Sequence, residues 1–471
     1  MTNTHLPLLL SRESGEALAD QIVRSVAARI EERLLRPGAR MPSIRQFAAT
    51  HGVSAFTVVA GYDRLVAQGY LESRRGAGFF VRERALPEER PALPAREAPP
   101  ATLDVAWLVR SMFRQSPVNL SPGTGVLPAD WLDGPAVANA LRALSRQNSS
   151  ILMNYGTPQG FLPLRQQLQL KLAENEIDAA PEQLVTTLGV TQALDLVARE
   201  FCRPGDTILV DDPAWFLMFG SFAAMGLKVV GVRRLADGPD IAQLAQLAAL
   251  HQPRLYVLNS VLHNPSSTSL SAAKAFQVLR LAEQHGFTVV EDDIYSDLHP
   301  GGATRLAALD QLDRVIYLGG FSKSMAANLR VGFIATSSER AQRLADRKML
   351  ATLTTSDIGE RVVYKILSEG HYRKHLDRIR TRLDAVRPRA LRRLEQLGMR
   401  LDPAPSSGMF VWVDAGCDTN VLAARAMQDD ILLAPGSLFS PNQLPSSHMR
   451  LNVAALQDEG VWRFFETAIA G

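Results

Sequence analysis

The sequence predicts a chain in two parts, a small α+β module followed by a large α/β body. Short helices and a strand pair occupy the first 84 residues, and alternating apolar strands and amphipathic helices begin near residue 180. At 471 residues the chain exceeds one ordinary domain, which supports this division. We therefore expect a module at 12–84, a linker at 85–103 and a body at 104–471.

The charge is unevenly distributed along the chain. Residues 1–84 contain 12 arginines, no lysines and 8 acidic residues, whereas the remainder contains 39 basic and 40 acidic residues. The whole molecule carries only +3 and has 46% hydrophobic and 21% charged residues, as expected for a globular protein with a sizeable core. The basic excess lies where the N-terminal module could meet phosphate groups.

Other features exclude several classes of protein. The two cysteines, Cys202 and Cys417, are too few and too far apart for a metal knuckle or a disulfide framework, so we expect no metal site. No apolar run is long enough to span a membrane. The first ten residues lack the N-terminal basic residues and the small-residue cleavage site that are typical of a signal peptide. We expect a cytoplasmic protein that has no membrane partner.

The N-terminal module has the pattern of a helix-turn-helix. Apolar residues recur at helical spacing over 16–35 and end with Leu34, before an Arg-Pro-Gly stop signal. Ser43 and Ser54 are expected to cap two short helices that are separated by Gly52. Such a pair presents its second helix to the DNA major groove.

A strand pair follows the third helix. The run from Tyr70 to Val81 has apolar residues on both sides of an Arg-Arg-Gly-Ala-Gly turn, which predicts a wing with basic residues at its tip. A small helical bundle used only for packing is the alternative, and the wing and the basic charge argue against it. The module resembles the winged helix-turn-helix of the GntR family of bacterial regulators.

The GntR resemblance follows Leu-Arg-Pro-Gly-Ala-Arg-Met-Pro-Ser-Ile-Arg at 35–45, Gly-Val-Ser at 52–54 and Gly-Ala-Gly at 76–78. It implies that double-stranded DNA, the operator, is contacted by Arg45, Ser54, Thr57, Arg75 and Gly76. The family commonly has a basic residue directly after the serine that opens the recognition helix. This chain has Ala55 and Phe56 there, so direct base reading by arginine is absent at that point.

The linker and the body differ in composition. Five prolines lie between residues 85 and 101 without helical or strand periodicity, which predicts an extended spacer. The body has apolar runs that predict strands of a mainly parallel sheet at 207–210, 228–232, 255–259, 287–290, 315–318 and 331–335. Ligands of such sheets gather at the carboxyl ends of the strands.

Residues suited to a cofactor follow these strands. Gly189 opens a helix whose free backbone N–H groups form an anion site. A lysine beyond a strand and among small residues, Lys323, can form a Schiff base with an aldehyde. Taken singly, Trp215 also fits a core position, Asp292 a helix cap and Lys323 a surface loop. Their order along the chain favours the functional interpretation.

That order resembles the fold-type I aminotransferases, which bind pyridoxal 5′-phosphate (PLP) and have a large and a small subdomain. The resemblance implies that Lys323 is the Schiff-base lysine and the catalytic residue, and that Asp292 pairs with the pyridine nitrogen. It assigns the remaining cofactor contacts to Asn264, Tyr295, Trp215, Val190, Thr191, Ser322, Arg330 and Tyr155. Tyr155 would come from the neighbouring subunit of a homodimer, and Arg450 would bind the α-carboxylate of an effector.

Two positions depart from the aminotransferase pattern. Gly320 stands where the family usually has a serine or threonine on the phosphate, so one hydroxyl contact is missing. The usual Asn-Pro-Thr-Gly is Asn-Pro-Ser-Ser at 264–267, which is a milder change. Neither departure removes the lysine, the aspartate or the arginines, and we expect cofactor binding to survive.

The combination of the two parts resembles the MocR branch of the GntR regulators. It implies a regulator that senses PLP or a small amino compound through an aldimine at Lys323. The presence of Arg450 suggests an effector with a carboxylate. Alternatively, PLP alone is the effector and Arg450 binds no ligand. Two other hypotheses stay open at this point: a catalytically active aminotransferase with an appended DNA-binding head, and a DNA-binding module on a scaffold that binds no cofactor.

Overall fold

The computed structural model describes residues 10–12, 14–82, 120–147, 153–401 and 405–469. The chain divides into two compact units, Met1–Ala98 and Pro99–Gly471, and each is described by itself. The linker expected at 85–103 lies outside the described residues. Within the described part, no helix has both the length and the apolar character needed to cross a membrane. The same residues contain no group of three or more potential metal ligands.

The N-terminal unit is a winged helix-turn-helix, as predicted. Its elements are α1 Leu18–Glu31, α2 Ile44–His51, α3 Ala55–Ala67, β1 Leu71–Arg74 and β2 Gly78–Val81. Ser43 and Ser54 cap α2 and α3 by accepting hydrogen bonds from backbone N–H groups three residues ahead, and Gly52 ends α2 in the left-handed conformation. The strands pair antiparallel around the basic turn.

One detail of this unit was predicted wrongly. The first helix ends at Glu31 instead of continuing to Leu35, and Arg33 adopts a φ of 59°. Leu34 is consequently 69% exposed, whereas Leu35 is buried in the core of the unit. The apolar spacing that included Leu34 was therefore coincidental, because the chain turns before reaching that residue.

The body is built on an eight-stranded sheet with the order β3-β10-β9-β8-β7-β4-β5-β6. The strands are β3 Leu184–Thr187, β4 Thr207–Asp212, β5 Lys228–Leu235, β6 Gly238–Pro239, β7 Leu255–Leu258, β8 Thr288–Asp292, β9 Val315–Gly320 and β10 Gly332–Ala335. All six predicted strands are present. Strand β3 was not predicted, and it pairs antiparallel with β10, which is also antiparallel to β9.

Helices cover both faces of this sheet. Along β9, Ile316 and Leu318 belong to one apolar cluster, whereas Val315 and Tyr317 belong to a second cluster on the other face. Among the described residues, the helices of the body are Gly134–Ser145, Leu162–Ala173, Gly189–Phe201, Phe216–Ala224, Ile241–His251, Ala272–His285, Leu306–Asp310, Ser338–Thr352, Asp357–Ser368, His371–Gln396, Thr419–Ala426 and Glu459–Ile469.

A second, antiparallel sheet forms the small subdomain near the C-terminus. Its order is β11-β12-β14-β13, from β11 Arg400–Leu401, β12 Phe410–Asp414, β13 Ala434–Pro435 and β14 His448–Asn452. Arg450 lies in the middle of β14 opposite Trp412 of β12. This second sheet thus carries the residue that was expected to bind a carboxylate.

Candidate cofactor and effector site

A cavity lies at the carboxyl edge of the parallel strands. Asp292 is the last residue of β8, Lys323 follows β9, and Asn264 follows β7, and these three strands are neighbours. Their carboxyl ends therefore meet at one edge of the sheet. The side chains that line the cavity are those of Val190, Thr191, Trp215, Asn264, Asp292, Ile294, Tyr295, Ser322, Lys323 and Arg330.

Lys323 carries an amine that is easily deprotonated. Its Nζ donates a hydrogen bond to the backbone oxygen of Gly125 at 2.8 Å and lies 5.9 Å from the centre of the Tyr295 ring. Burial, together with the positive charges of Arg450 and Arg330, lowers the pKa of Lys323 to about 8 against the opposing effect of Asp292. A neutral amine is the form that attacks an aldehyde.

Asp292 is a buried carboxyl group at the base of the same cavity. Burial raises the pKa of Asp292 to about 6, although a hydrogen bond from the backbone N–H of Ile294 to Oδ1 at 3.1 Å opposes the shift. Asn259 holds the neighbouring backbone by donating to the Asp292 oxygen at 2.7 Å. This carboxyl group is suited to pairing with a protonated nitrogen, because a nearby positive charge stabilises its ionised form.

A chain of hydrogen bonds connects the cavity to the small subdomain. Asn264 donates from Nδ2 to the hydroxyl of Tyr295 at 3.1 Å, and Arg450 donates from Nη1 to Oδ1 of Asn264 at 3.0 Å. The other Nη donates to the backbone oxygen of Gly123 at 2.5 Å. Burial raises the pKa of Tyr295 and lowers the pKa of Arg450 to about 10.

Arg450 is a buried guanidinium whose hydrogen bonds go to neutral groups. Only 1% of the residue is exposed, and the rings of Phe410 and Phe439 lie 4.5 and 5.0 Å from its central carbon. Its Nε has no hydrogen-bond partner among the residues that the structure describes. Buried charges are normally paired, so this guanidinium is suited to an anion supplied from outside the chain.

Another part of the cavity lining has the features of an anion site. Val190 and Thr191 lie in the first turn of the helix Gly189–Phe201, whose backbone N–H groups are free at that end. Arg330 donates to the backbone oxygen of Leu188 at 2.8 Å and to the hydroxyl of Ser322 at 3.4 Å. A Cβ on Gly189, whose φ is 75°, would stand 2.8 Å from the Arg330 guanidinium, so a larger residue there would displace the guanidinium.

Tyr155 is the one predicted cofactor residue that does not line the cavity. It is 82% exposed, in the loop that precedes the helix Leu162–Ala173. The backbone after it is anchored: Phe161 donates its N–H to Glu360 at 2.7 Å, and the Gly160 oxygen accepts from Arg165 at 3.2 Å. An exposed tyrosine on an anchored loop is compatible with the expected contact across a dimer.

The predicted DNA-contacting residues lie on the surface of the N-terminal unit. Arg45 is exposed on α2, Ser54 and Thr57 lie at the start of α3, and Arg75 and Gly76 are exposed in the turn of the wing. Gly76 has a φ of 77°, a conformation that favours glycine in this tight turn. These positions belong to the recognition helix, to the helix before it and to the wing.

Some residues of the site were not foreseen. Gly123 and Gly125 provide backbone oxygens to Arg450 and Lys323 from a buried segment that precedes the helix Gly134–Ser145. A Cβ on Gly123 would stand 2.5 Å from the backbone of Leu433. The Ser-Pro-Gly-Thr-Gly run at 121–125 marks a turn in the sequence, but nothing local indicates what it contacts.

The structure also explains the unusual glycine at 320. A Cβ at this position would stand 2.9 Å from Cδ1 of Ile294 and 3.3 Å from the backbone oxygen of Val331. Ile294 itself lines the cavity. The bulk of the isoleucine therefore occupies the space that a side chain at 320 would need.

Comparison with known proteins agrees with both parts of the chain. Residues 119–467 match the family model "Aminotransferase class I and II", and residues 18–81 match "Bacterial regulatory proteins, gntR family". The chain is 28% identical to the uncharacterised HTH-type transcriptional regulator YdcR of Escherichia coli, over 93% of this chain and 94% of that protein. It is 27% identical to the probable rhizopine catabolism regulatory protein MocR of Rhizobium meliloti, over 92% and 88%.

The protein is a MocR-type GntR regulator whose body belongs to the aminotransferase class I and II family. Among solved structures, it resembles α-aminoadipate aminotransferase LysN of Thermus thermophilus, complexed with N-(5′-phosphopyridoxyl)-L-leucine. The TM-score is 0.70 at 26% identity, over 79% of this chain and 96% of that one. The C-terminal body of the regulator thus has the fold-type I aminotransferase fold, in a family that uses PLP.

Proposed function

We propose that this MocR-type regulator is PLP-dependent and senses PLP or a small amino compound through a Schiff base at Lys323. The observation that carries the proposal is the cavity, whose lining combines a lysine with a lowered pKa, a buried carboxyl group and an anion site. On this proposal, effector binding alters the body and thereby the affinity of the N-terminal unit for its operator.

The donor set fits PLP. A phosphate is matched by the helix N-terminus at Gly189 with the hydroxyls of Thr191 and Ser322 and the guanidinium of Arg330. A pyridine nitrogen is matched by Asp292, and Trp215 offers an aromatic face. When bound, PLP supplies an aldehyde that exchanges amine partners, and a ring that accepts electrons.

The side chains of the protein have separate tasks in this proposal. Lys323 would hold the aldehyde of the cofactor through its neutral amine, and an amino compound would compete with it there. Asp292 would keep a proton on the pyridine nitrogen, because its ionised form would pair with the positive charge. Asn264 and Tyr295 would hold the phenolic oxygen of the ring by hydrogen bonds, and their side chains are linked to each other at 3.1 Å.

Arg450 favours an effector that carries a carboxylate. Its guanidinium is buried, has an unpartnered Nε, and bonds to the amide oxygen of Asn264. A carboxylate at this point would supply the missing negative charge through charge-assisted hydrogen bonds. An amino acid carries its amine and its carboxylate on the same carbon. This suits Lys323 and Arg450, because Nζ and both Nη atoms lie 3.7 and 3.8 Å from one point, the position of a Cβ built on Gly125.

The first experiment is the visible absorption spectrum of the purified protein with PLP during titration with amino acids and amines. A Schiff-base band that shifts with one compound and then stays constant would identify a bound effector. Anisotropy measurements with operator DNA, repeated with and without that compound, must then show a change in affinity. Operator affinity that is unaffected by PLP and by every amino compound contradicts the proposal.

The aminotransferase relatives favour a second candidate, an enzyme with a DNA-binding head. The residues for proton transfer at an α-carbon lie in the cavity, with Lys323 as the base once it is displaced. In that case the band would decay steadily to the amino form of the cofactor and return with a keto acid. A protein that stays colourless after incubation with PLP and dialysis would support a scaffold without a cofactor.

A further inference from the structure

The recognition helix α3 presents an aromatic ring to solvent. Phe56 is the second residue of the helix and is 83% exposed, whereas the inward face of the helix, formed by Val58, Gly61, Tyr62 and Leu65, is buried. A Cβ on Gly61 would stand 3.0 Å from Ile22 of α1, so this inward face is packed closely. Phe56 therefore lies on the side of α3 that the core of the unit does not use.

The start of α3 has no cationic side chain for reading bases. Residues 55–63 contain neither arginine nor lysine, and the first arginine of the helix, Arg64, is paired with Asp20. The two hydroxyls at this end are used within the protein. Ser54 Oγ accepts the backbone N–H of Thr57 at 3.0 Å and lies 2.7 Å from the Thr57 hydroxyl. Hydrogen-bonded recognition of guanine by arginine is thus absent from this turn.

What remains at the tip of the helix is apolar surface. Of the four bases, thymine presents a methyl group in the major groove, and apolar side chains such as those of Ala and Phe contact it. We propose that Phe56 determines operator specificity by packing against the 5-methyl group of a thymine in each half-site. Arg45 and Arg75, exposed on α2 and the wing, contact phosphates on this proposal and position the helix.

The proposal can be tested with DNA selected by the full-length protein from a randomised duplex library. Each thymine of the selected half-site is then replaced by deoxyuridine, which removes the methyl group and leaves the hydrogen-bonding edge unchanged. Affinities are measured by fluorescence anisotropy at one fixed salt concentration. For the wild-type protein, we expect at least one position where deoxyuridine weakens binding about fourfold, the effect of one buried methyl group.

Two variants connect this effect to the side chain. Phe56→Ala should weaken binding to the thymine duplex and bring the thymine-to-deoxyuridine affinity ratio at that position close to one. Phe56→Leu, which keeps an apolar side chain, should keep part of the preference for thymine over deoxyuridine. Leu34→Ala is the matched control, because Leu34 is 69% exposed in the same unit but lies outside the recognition helix. It should change neither affinity nor ratio.

Several results would overturn the proposal. One is equal affinity of the wild-type protein for thymine and deoxyuridine duplexes at every position. Another is a thymine-to-deoxyuridine affinity ratio that is the same in Phe56→Ala as in the wild-type protein. If Phe56→Ala weakens binding to both duplexes by the same factor, the ring packs against protein and does not read DNA. Selection that enriches no sequence would also refute it. The thymine-to-deoxyuridine ratio compares two duplexes at the same PLP concentration, so it can fail or succeed separately from the proposed sensing function.

Discussion

Neighbouring charges of opposite sign act on the pKa of Lys323, and this predicts two variants with opposite effects. Arg450 lowers the pKa of Lys323 and Asp292 raises it, in addition to the larger effect of burial. Arg450→Gln should therefore raise the pKa above about 8. Asp292→Asn should lower it further, because the carboxylate that favours the ammonium form is removed.

The expected size of the shift follows from the geometry. A Cβ on Gly125 would stand 3.7 Å from Nζ of Lys323 and 3.8 Å from both Nη atoms of Arg450, so the two charges are less than about 8 Å apart. At an effective dielectric constant of about 20, their repulsion is about 2 kcal/mol, or somewhat more than one pKa unit. A pKa of about 8 instead of 10.5 makes the neutral amine about 300-fold more abundant at pH 7.

The assay is the rate at which the apo protein forms a Schiff base with PLP, followed by absorbance from about pH 6 to about pH 10. The rate should rise with pH, because deprotonation produces the reactive amine, and level off above the pKa of Lys323. The midpoint should lie near pH 8 in the wild-type protein, higher in Arg450→Gln and lower in Asp292→Asn. Midpoints that move in the same direction, or that do not move, would refute this account of the site.

Three further predictions concern single features of the chain. Lys323→Ala should abolish the Schiff-base band and leave non-specific DNA affinity nearly intact; equal loss of both would mean that the lysine is structural. Gly320→Ser should lower the melting temperature by the equivalent of about 1–3 kcal/mol through overpacking against Ile294. The same serine should cost less when introduced into Ile294→Ala than into the wild-type protein, and an equal cost in both thermal melts would contradict the assigned contact. In mixed dimers of Lys323→Ala and Tyr155→Phe chains, one tight PLP site should reappear by titration, because one site then has both native residues; its absence would place Tyr155 in its own subunit's site.

Much of the fold was predictable because it depends on local chemistry. The caps at Ser43 and Ser54, the glycine turn at 52 and the wing are set by hydrogen bonds and backbone conformations within a few residues. The six apolar runs became strands for the same reason. Among the failures, the early end of α1 and the missed strand β3 occurred where long-range packing overrides local spacing. The short strand β6 and the strands of the second sheet were not predicted either.

For the candidate site too, some features followed from local sequence and others from tertiary structure. Lys323, Asp292 and Gly189, which opens the helix Gly189–Phe201, could be selected from the sequence as candidates, because each follows or precedes an element with a clear local pattern. Their convergence depends on parallel neighbours β7, β8 and β9, whose carboxyl ends share one edge. Only the tertiary structure brings Gly123 and Gly125 to Arg450 and Lys323, more than 190 residues away along the chain. The pKa values of Lys323 and Asp292 were likewise decided by tertiary structure, since burial and facing charges arise only when distant segments pack together.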